Sequence, residues 1–210
     1  MQFLSFPRSF QDADITVNGK EYLDEALAKK RGVILVTGHF GVWEIMLAWF
    51  GLNQYSMLVV GQKQKNSGAD TFVNKLRENA GIKMIPRKSS LEFMYEALAR
   101  NNILTLASDQ DAKNRGIFVK FFSLPASTPK GAGRFHLEYG SPLIFVTCHL
   151  EKPNNHVLDI LPVPTDSNSN IESITQSFTL MLEKIITAYP KQYFWFHRRW
   201  KTKPPQTEST

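Results

Sequence analysis

The chain has 210 residues, of which 42% are hydrophobic, and 25 Lys and Arg against 19 Asp and Glu give a net charge of +6. This length suffices for one substantial core, and the positive charge favours phosphate, an acidic protein, an anionic membrane or nucleic acid as partner. The single cysteine, Cys148, excludes an internal disulfide and lies in the apolar run PLIFVTCHL, which predicts a small core residue. No secretory signal is visible, and GLNQYS interrupts the longest uncharged run, so we predict no membrane-spanning helix.

Helical and strand patterns alternate along the first half of the chain. The predicted helices cover residues 21–30, 42–51, 69–81 and 89–101, and the predicted strands cover residues 32–38, 56–62, 82–86 and 103–108. Ser89 and Glu92 have the spacing of a capping box at the start of the fourth helix. This repetition predicts an α/β fold with a central, mostly parallel sheet that helices cover on both faces.

After Asp109 the alternation stops. Residues 109–130 are rich in charge, proline and phenylalanine and predict a long loop, a feature that is often functional. The remaining pattern predicts a helix over 129–140, a strand pair over 141–151 and 155–164, and a helix over 171–189 with Ser169 and Glu172 in capping-box spacing. We expect a single domain over residues 1–204 and a disordered tail over 205–210.

His39 and Glu44 flank the change from strand to helix in the stretch GHFGVWE. If His39 lies on the loop after the strand and Glu44 in the first helical turn, both face the sheet edge where α/β folds bind ligands. A neutral imidazole can take a proton from a hydroxyl, and a carboxylate on its other ring nitrogen fixes the tautomer. The spacing fits a general base with its supporting acid, or a loop histidine beside an exposed helix-cap glutamate.

Four blocks of the sequence resemble one enzyme family. They are RGVILVTGHFGVWE, LASDQD, GIFVKFFSLPASTPKGAGRFHLEYGSPLI and WFHRRWKTKP. In this order they resemble the His-x4-Glu block, the Asp-Gln element, the Phe-Phe to Pro-Ala-x-Thr stretch and the C-terminal aromatic-basic signature of the bacterial lipid A late acyltransferases. The resemblance covers about residues 20–204, nearly the whole chain.

The resemblance implies a glycerolipid-acyltransferase type of α/β fold that moves an acyl chain from acyl carrier protein, or from acyl-CoA, to a hydroxyl of a lipid A-type glycolipid. His39 matches the catalytic base and Glu44 the acid that supports it. No cofactor is implied beyond the acyl donor. The family acts at the cytoplasmic face of the inner membrane and usually begins with a membrane-spanning helix. Here the histidine block comes early, so we expect peripheral membrane contact. Another acceptor, a lysophospholipid or aminolipid, stays open, as does a non-catalytic membrane- or nucleic-acid-binding protein.

Several polar residues are candidates for substrate binding. Arg87 follows a short strand and suits an acceptor phosphate, since arginine binds phosphate through two bonds. Asp109 and Gln110 end a strand at the expected edge and suit a sugar or phosphate. Lys130 and Arg134, with Thr128, lie at a predicted helix N-terminus that favours anions. The alternatives are solvated loop charges and helix caps.

The segment YFWFHRRWKTK at residues 193–203 combines five aromatic residues with cations and contains no acid. This mixture is typical of a membrane interface, and also of a nucleic-acid groove. We expect an acidic or lipid partner, contacted by His197, Arg198 and Arg199, and no nucleic acid. Phe118, Phe121 and Phe122 line an acyl pocket or pack in the core. We expect no metal, since no metal-ligand spacing is present.

Overall fold

The computed structural model describes residues 14–61, 66–87 and 89–205. Its strands are β1 Asp14–Asn18, β2 Val33–Thr37, β3 Met57–Gly61, β4 Lys83–Pro86, β5 Ile103–Ala107, β6 Ile117–Phe121, β7 Leu124–Thr128, β8 Leu143–Lys152 and β9 Asn155–Pro162. Its α-helices are α1 Lys20–Ala28, α2 Trp43–Leu52, α3 Ser67–Asn79, α4 Leu91–Ala99, α5 Gly131–Tyr139 and α6 Ile171–Ala188. Short 3-10 turns occupy Lys113–Arg115 and Pro190–Gln192.

Seven strands form one sheet in the order β1-β9-β8-β2-β5-β3-β4. The five strands from β8 to β4 are parallel, β9 is antiparallel to β8, and β1 is parallel to β9. The predicted α/β fold is confirmed, as is the predicted strand pair in the second half of the chain. The carboxyl ends of β2, β5, β3 and β4 therefore meet at one edge, called here the C-terminal edge of the sheet.

Both faces of the sheet are buried. Along β2, Ile34 and Val36 belong to the hydrophobic cluster that includes residues of α4, α5 and α6, whereas Val33 and Leu35 belong to the cluster that includes residues of α1 and α2. This division follows from the two-residue period of a strand. A strand buried on both faces needs an uninterrupted apolar run, which explains why VILVT is readable from the sequence.

The segment predicted as a long loop contains a hairpin instead. β6 and β7 pair antiparallel with a turn at Phe122 and Ser123, and they form a separate two-stranded sheet. Gln176 on α6 fixes its edge: the side chain accepts a hydrogen bond from Lys120 N at 2.7 Å and donates one to Lys120 O at 2.9 Å. The prediction of a structureless 109–130 segment is therefore wrong.

Two predicted helix caps are shifted by one residue. Ser90, not Ser89, caps α4 by accepting a hydrogen bond from Phe93 N at 3.3 Å. Asn170 caps α6 in a reciprocal box with Ser173, so Ser169 and Glu172 do not form the predicted box. Capping depends on which residue leaves the helical dihedral range, and neighbouring polar residues make that point ambiguous in sequence.

Some predictions fall on residues that the structure does not describe. The predicted strand 56–62 ends at Gln62, outside the described residues, and of the tail predicted to be disordered only Pro205 is described. Within the described ranges, none of the helices combines the length and the apolar character needed to span a bilayer.

Candidate active site

His39 and Asp109 meet at the C-terminal edge of the sheet. Each lies two residues beyond the end of its strand, β2 for His39 and β5 for Asp109, and the last residues of these strands, Thr37 and Ala107, are register partners. His39 Nδ1 lies 2.7 Å from Asp109 Oδ1, and the His39 backbone N–H donates to Asp109 Oδ2 at 2.9 Å. One carboxylate therefore holds both the main chain and the ring of His39.

This bond defines the state of the imidazole. An ionised carboxylate only accepts hydrogen bonds, so Nδ1 carries the proton and Nε2 keeps its lone pair. The Asp109 side chain is buried, with 3% exposed, whereas 30% of the His39 side chain is exposed. Since Nδ1 points toward the buried carboxylate, the opposite edge of the ring, with Nε2, is on the side open to a substrate. This is the geometry of a general base with an orienting carboxylate.

The pKa values of the two groups move apart. Burial lowers the pKa of His39, but the hydrogen bond and the charge of Asp109 outweigh burial, so this pKa lies above its ordinary value. For Asp109, burial raises the pKa, but the hydrogen bonds and charge of His39 outweigh it, and this pKa is lowered. At neutral pH the Asp109 carboxylate is ionised, and a carboxylate in this position can stabilise an imidazolium.

Glu44 does not occupy the predicted position beside the ring of His39. It lies in the first turn of α2, but both its carboxylate oxygens are bound to the Arg77 guanidinium, with Nε to Oε2 at 3.0 Å. Oε1 also accepts a hydrogen bond from the indole of Trp43 at 3.2 Å. The predicted role as the acid that orients His39 is therefore corrected, because Asp109 makes that bond and Arg77 neutralises Glu44.

Glu44 still acts on the site through Trp43. The rings of Trp43 and His39 meet edge to face, with centroids 5.5 Å apart. Because Glu44 holds the indole and Arg77 holds Glu44, a chain of contacts leads from α3 to the face of the catalytic candidate. Glu44 therefore contacts His39 only indirectly, through Trp43.

The main chain around His39 is fixed by close backbone packing. Gly41 has φ +62°, and a Cβ at this position would lie 2.0 Å from the carbonyl oxygen of Cys148. Its N–H donates to Gln192 O, and the N–H of Val42 donates to Cys148 O, both at 2.8 Å. Cys148 itself is buried, as predicted, and burial raises the pKa of its thiol to about 12, so it is not a nucleophile at neutral pH.

Residues 192–202, called here the C-terminal strap, run from β8 past His39 to the loop that follows β5. At one end the Gln192 side chain makes two hydrogen bonds to the main chain of Leu150, at 2.8 and 2.9 Å. In the middle, Phe194 N donates to His39 O at 3.0 Å. At the other end, Thr202 donates to Asp111 Oδ2 at 2.9 Å. The strap therefore fixes the carbonyl of His39, while Asp109 fixes its N–H and its ring.

Arg199 belongs to the strap, but its side chain turns inward and not toward the surface. It is 2% exposed, and its guanidinium donates to Ser127 O at 2.7 Å and to Thr128 Oγ1. It also stacks over the ring of Phe121, with 5.3 Å from Cζ to the centroid. The prediction that Arg199 contacts an acceptor is therefore wrong: burial and these bonds leave it no access to a partner. Thr128, predicted with Lys130 as part of an anion site, accepts one of these hydrogen bonds from Arg199.

A small cavity lies behind Asp109. Ser108, Thr179 and Arg199 contribute polar atoms to its wall and Phe121 an apolar face. Its volume is about 10 Å³, the lower limit for one water molecule. In this conformation it cannot hold an acyl chain. Arg199 Nε is buried and finds no hydrogen-bond partner within the described part of the chain.

The other predicted binding residues are spread along the same edge. Gln110 is half-buried next to Asp109, and Lys130 is exposed before α5, whose N-terminus lies at this end because the helix leads into β8. Arg87 is exposed after β4, three strands or about 14 Å from β2. Arg134 is held by Glu138, with Nε to Oε1 at 2.8 Å. The structure does not gather these four around His39, and their roles stay predictions.

His197 and Arg198 are adjacent on the strap but differ in burial. His197 is half-buried, and its Nε2 accepts a hydrogen bond from Asp111 N at 2.8 Å, which anchors the strap. Burial lowers the pKa of His197 and favours this neutral acceptor form. Arg198 is exposed and is free to meet an anionic group. Substrate contact by His197 and Arg198 stays a prediction.

Of the three phenylalanines predicted to line an acyl pocket or pack in the core, one is buried and two are half-buried. Phe121 is fully buried in the core, whereas Phe122 is half-buried at the hairpin turn and contacts Trp195, with ring centroids 6.1 Å apart. Phe118 is also half-buried. Across the described ranges, no three His, Cys, Asp or Glu side chains lie close enough together to hold a metal ion.

Arg77 and Tyr193 were missed in the sequence. Arg77 lies on a helix with many exposed residues, where an arginine reads as a solvated charge. Tyr193 is buried beside Asp109, and burial first, then the charge of Asp109, raise the pKa of its hydroxyl. The aromatic-basic composition of residues 193–203 predicts a functional segment, but it does not show which of its side chains turn inward.

Fold and site together define an α/β protein with a histidine–aspartate pair, arranged for proton transfer, at the C-terminal edge of its sheet. Residues 4–202 match the family model described as bacterial lipid A biosynthesis acyltransferase, and the chain belongs to this family.

Named relatives show which activities occur in proteins similar to this chain. The lipid A biosynthesis lauroyltransferase of Escherichia coli K12 is 29% identical over 194 residues, which cover 90% of this chain and 62% of that protein. The phosphatidylinositol mannoside acyltransferase of Mycobacterium tuberculosis H37Rv is 24% identical over 191 residues, which cover 89% of this chain and 60% of that protein. The chain thus spans only about 60% of the length of these relatives.

Proposed function

We propose that this protein is an acyltransferase that moves a fatty acyl chain from a thioester donor to a hydroxyl of a glycolipid. The observation that carries the proposal is the His39–Asp109 pair, whose 2.7 Å bond leaves Nε2 free to accept a proton on the exposed side. Family membership supports the reaction class. Both lauroyl transfer in lipid A synthesis and acylation of a phosphatidylinositol mannoside occur among the relatives, which supports a glycolipid acceptor.

The reaction needs no covalent enzyme intermediate. His39 Nε2 removes the proton of the acceptor hydroxyl while the hydroxyl oxygen attacks the carbonyl carbon of the thioester. Asp109 stabilises the resulting imidazolium, which then gives its proton to the departing thiolate, so that an ester and a free thiol are formed. The buried Cys148 thiol, with a pKa of about 12, is unsuited to an acyl-enzyme route.

Donor and location belong to the same proposal. The positive net charge suits acyl carrier protein, which is acidic, and acyl-CoA, whose phosphates are anionic. A lipid acceptor and a thioester donor meet at the cytoplasmic face of the membrane, where we place the protein in peripheral contact. Exposed Lys130, before α5, and exposed Arg198, on the strap, are cations that suit donor or acceptor phosphates.

The test is transfer of a radiolabelled acyl chain from acyl carrier protein or CoA to glycolipid acceptors. His39→Ala should lower the rate about 10²-fold or more, since general-base help is worth about 10²–10⁴. His136→Gln is the matched control, because His136 lies on α5 outside the site, and it should keep the wild-type rate. An unchanged rate in His39→Ala would exclude His39 as base. Absence of transfer by the wild type with every donor and acceptor would favour the non-catalytic alternative.

A further inference from the structure

Three consecutive aromatic side chains project from the C-terminal strap. Phe194 is 41% exposed, Trp195 48% and Phe196 91%. Residues 194–196 are called here the aromatic tip. A ring as exposed as that of Phe196 contributes nothing to the core, and three neighbouring exposed rings form the kind of apolar patch that marks an interaction site.

The aromatic tip is held in place on both sides. Tyr193, before it, is buried, and His197, after it, is bonded to Asp111 N. Within the tip, Phe194 N donates to His39 O at 3.0 Å, and the indole N–H of Trp195 donates to Pro190 O at 2.7 Å. The rings are therefore presented by a fixed turn, and little ordering entropy opposes their binding to a partner.

The apolar surface continues beyond the tip. Phe194 and Phe196 lie with ring centroids 5.7 Å apart, and Trp195 meets Phe122 at 6.1 Å. Phe122 belongs to the turn of the β6–β7 hairpin, where Leu124 is also among the most exposed large apolar residues. Tip and hairpin turn together form one apolar surface, which reaches His39 through Phe194.

Exposed cations stand next to the aromatic tip in the chain. Residues 190–203 contain no acid, and the exposed cations among them are Lys191, Arg198, Lys201 and Lys203. Aromatic rings at the depth of lipid headgroups, with lysine and arginine against anionic phosphates, are the combination that membrane interfaces favour. The exposed rings and the exposed cations thus provide the apolar and the positively charged groups that an anionic lipid surface binds.

We propose that the aromatic tip, with the hairpin turn and the exposed cations next to the tip, docks on an anionic lipid bilayer. The inference rests on the proposed function and specifies how the site meets its acceptor. Phe194 lies 6.3 Å from the ring of His39, so docking places the base at the level of the headgroups, where a lipid hydroxyl is found. A second copy of the chain fits less well, because a two-fold contact through the same surface would bring the exposed Arg198, Lys201 and Lys203 of both copies together.

Co-sedimentation with vesicles tests the proposal. The probes are vesicles of phosphatidylethanolamine with phosphatidylglycerol, and neutral phosphatidylcholine vesicles. Wild-type protein should bind the anionic vesicles and lose this binding at high salt. Phe196→Ser should weaken it roughly tenfold, since one deeply inserted ring is lost. Leu52→Ser is the matched control: Leu52 is also exposed but ends α2, which leads away from the C-terminal edge, and it should bind as the wild type does.

Several results would overturn the docking surface. Equal binding of Phe196→Ser and wild type would do so, as would equal loss in Phe196→Ser and Leu52→Ser. So would a wild-type dimer, seen without lipid by sedimentation velocity, that Phe196→Ser dissociates. Transfer to a detergent-dispersed acceptor separates this inference from the proposed function, because Phe196→Ser should keep that activity. Vesicle binding without any transfer would leave the surface standing and refute the enzyme; transfer without vesicle binding would do the reverse.

Discussion

Arg77 and Glu44 form a two-point ion pair, 33 residues apart in sequence, that joins α3 to the first turn of α2. Both side chains are mostly buried, with 18% and 15% exposed. Because Glu44 also holds the Trp43 indole against His39, the pair connects stability with the geometry of the site.

Removing either partner of this ion pair should destabilise the protein and lower the rate of acyl transfer. Glu44→Gln or Arg77→Met leaves a partly buried charge uncompensated, so we expect a loss of about 1–3 kcal/mol in the free energy of unfolding. The double variant should lose less than the sum of the two single losses, as measured by urea unfolding. A strictly additive double variant would contradict direct coupling. Acyl transfer should fall about tenfold or more in each single variant, because the ring of His39 loses a support.

The rate of acyl transfer should fall as the pH is lowered. A general base acts only when neutral, so activity declines as His39 gains a proton, and its raised pKa puts the midpoint of this decline above 6.5. In Asp109→Asn the burial that lowers the pKa remains while the charge that raises it is gone. The midpoint should then move to lower pH, and the maximal rate should fall because the tautomer is no longer fixed. A pH profile of kcat/KM for both proteins measures this, and an identical midpoint would contradict the pairing.

The fold was more readable in the sequence than the site. Strands β2 and β5 are apolar runs bounded by breaks in pattern, since burial on both faces demands them. The β6–β7 hairpin was missed, because Pro125 and the flanking charges suggest a loop and its partner Gln176 lies 56 residues from Lys120. Pairings between distant segments are decided by packing that no local pattern contains.

The candidate site shows the same limit. His39 and Asp109 were both singled out, but their bond joins residues 70 apart and depends on the register of β2 and β5. Glu44 was preferred as partner because a spacing of five residues is visible in sequence. Arg199 and Arg198 are adjacent and chemically alike, and only the strap's path decides that one is buried and the other exposed.

This difference between neighbours gives a prediction for stability. Arg199→Met removes the bonds to Ser127 O and Thr128 Oγ1 and leaves those acceptors without their donor, so we expect a loss of about 2–4 kcal/mol. Arg198→Met, at an exposed position, should change stability by no more than about 0.5 kcal/mol. Chemical denaturation of the two variants is the measurement. Equal effects would mean that Arg199 is not the anchor of the strap.

Gly41 carries the sharpest test of how the loop positions His39. Gly41→Ala places a Cβ in a left-handed conformation, which costs about 1–2 kcal/mol, and against the carbonyl oxygen of Cys148. The loop must move, and the hydrogen bonds from Gly41 and Val42 weaken, so a total loss of about 2–4 kcal/mol is expected. Gly68→Ala is the control: in α3 a Cβ there would meet Asn66 Oδ1 at 3.4 Å, an ordinary contact, and the change should be neutral or stabilise by about 0.5–1 kcal/mol.

Activity should respond to Gly41→Ala more strongly than stability does. A shift of the loop by about 1 Å moves His39 relative to a carboxylate that β5 holds in place, and misplacement of this size costs about 10²-fold in rate. Transfer measured at a temperature where the variant is fully folded separates this loss from unfolding. The backbone N–H of His39 and its ring bind the same carboxylate, so a shift of the loop should disturb both bonds. Wild-type activity in a folded Gly41→Ala protein would show that the loop does not set the geometry of the His39–Asp109 pair.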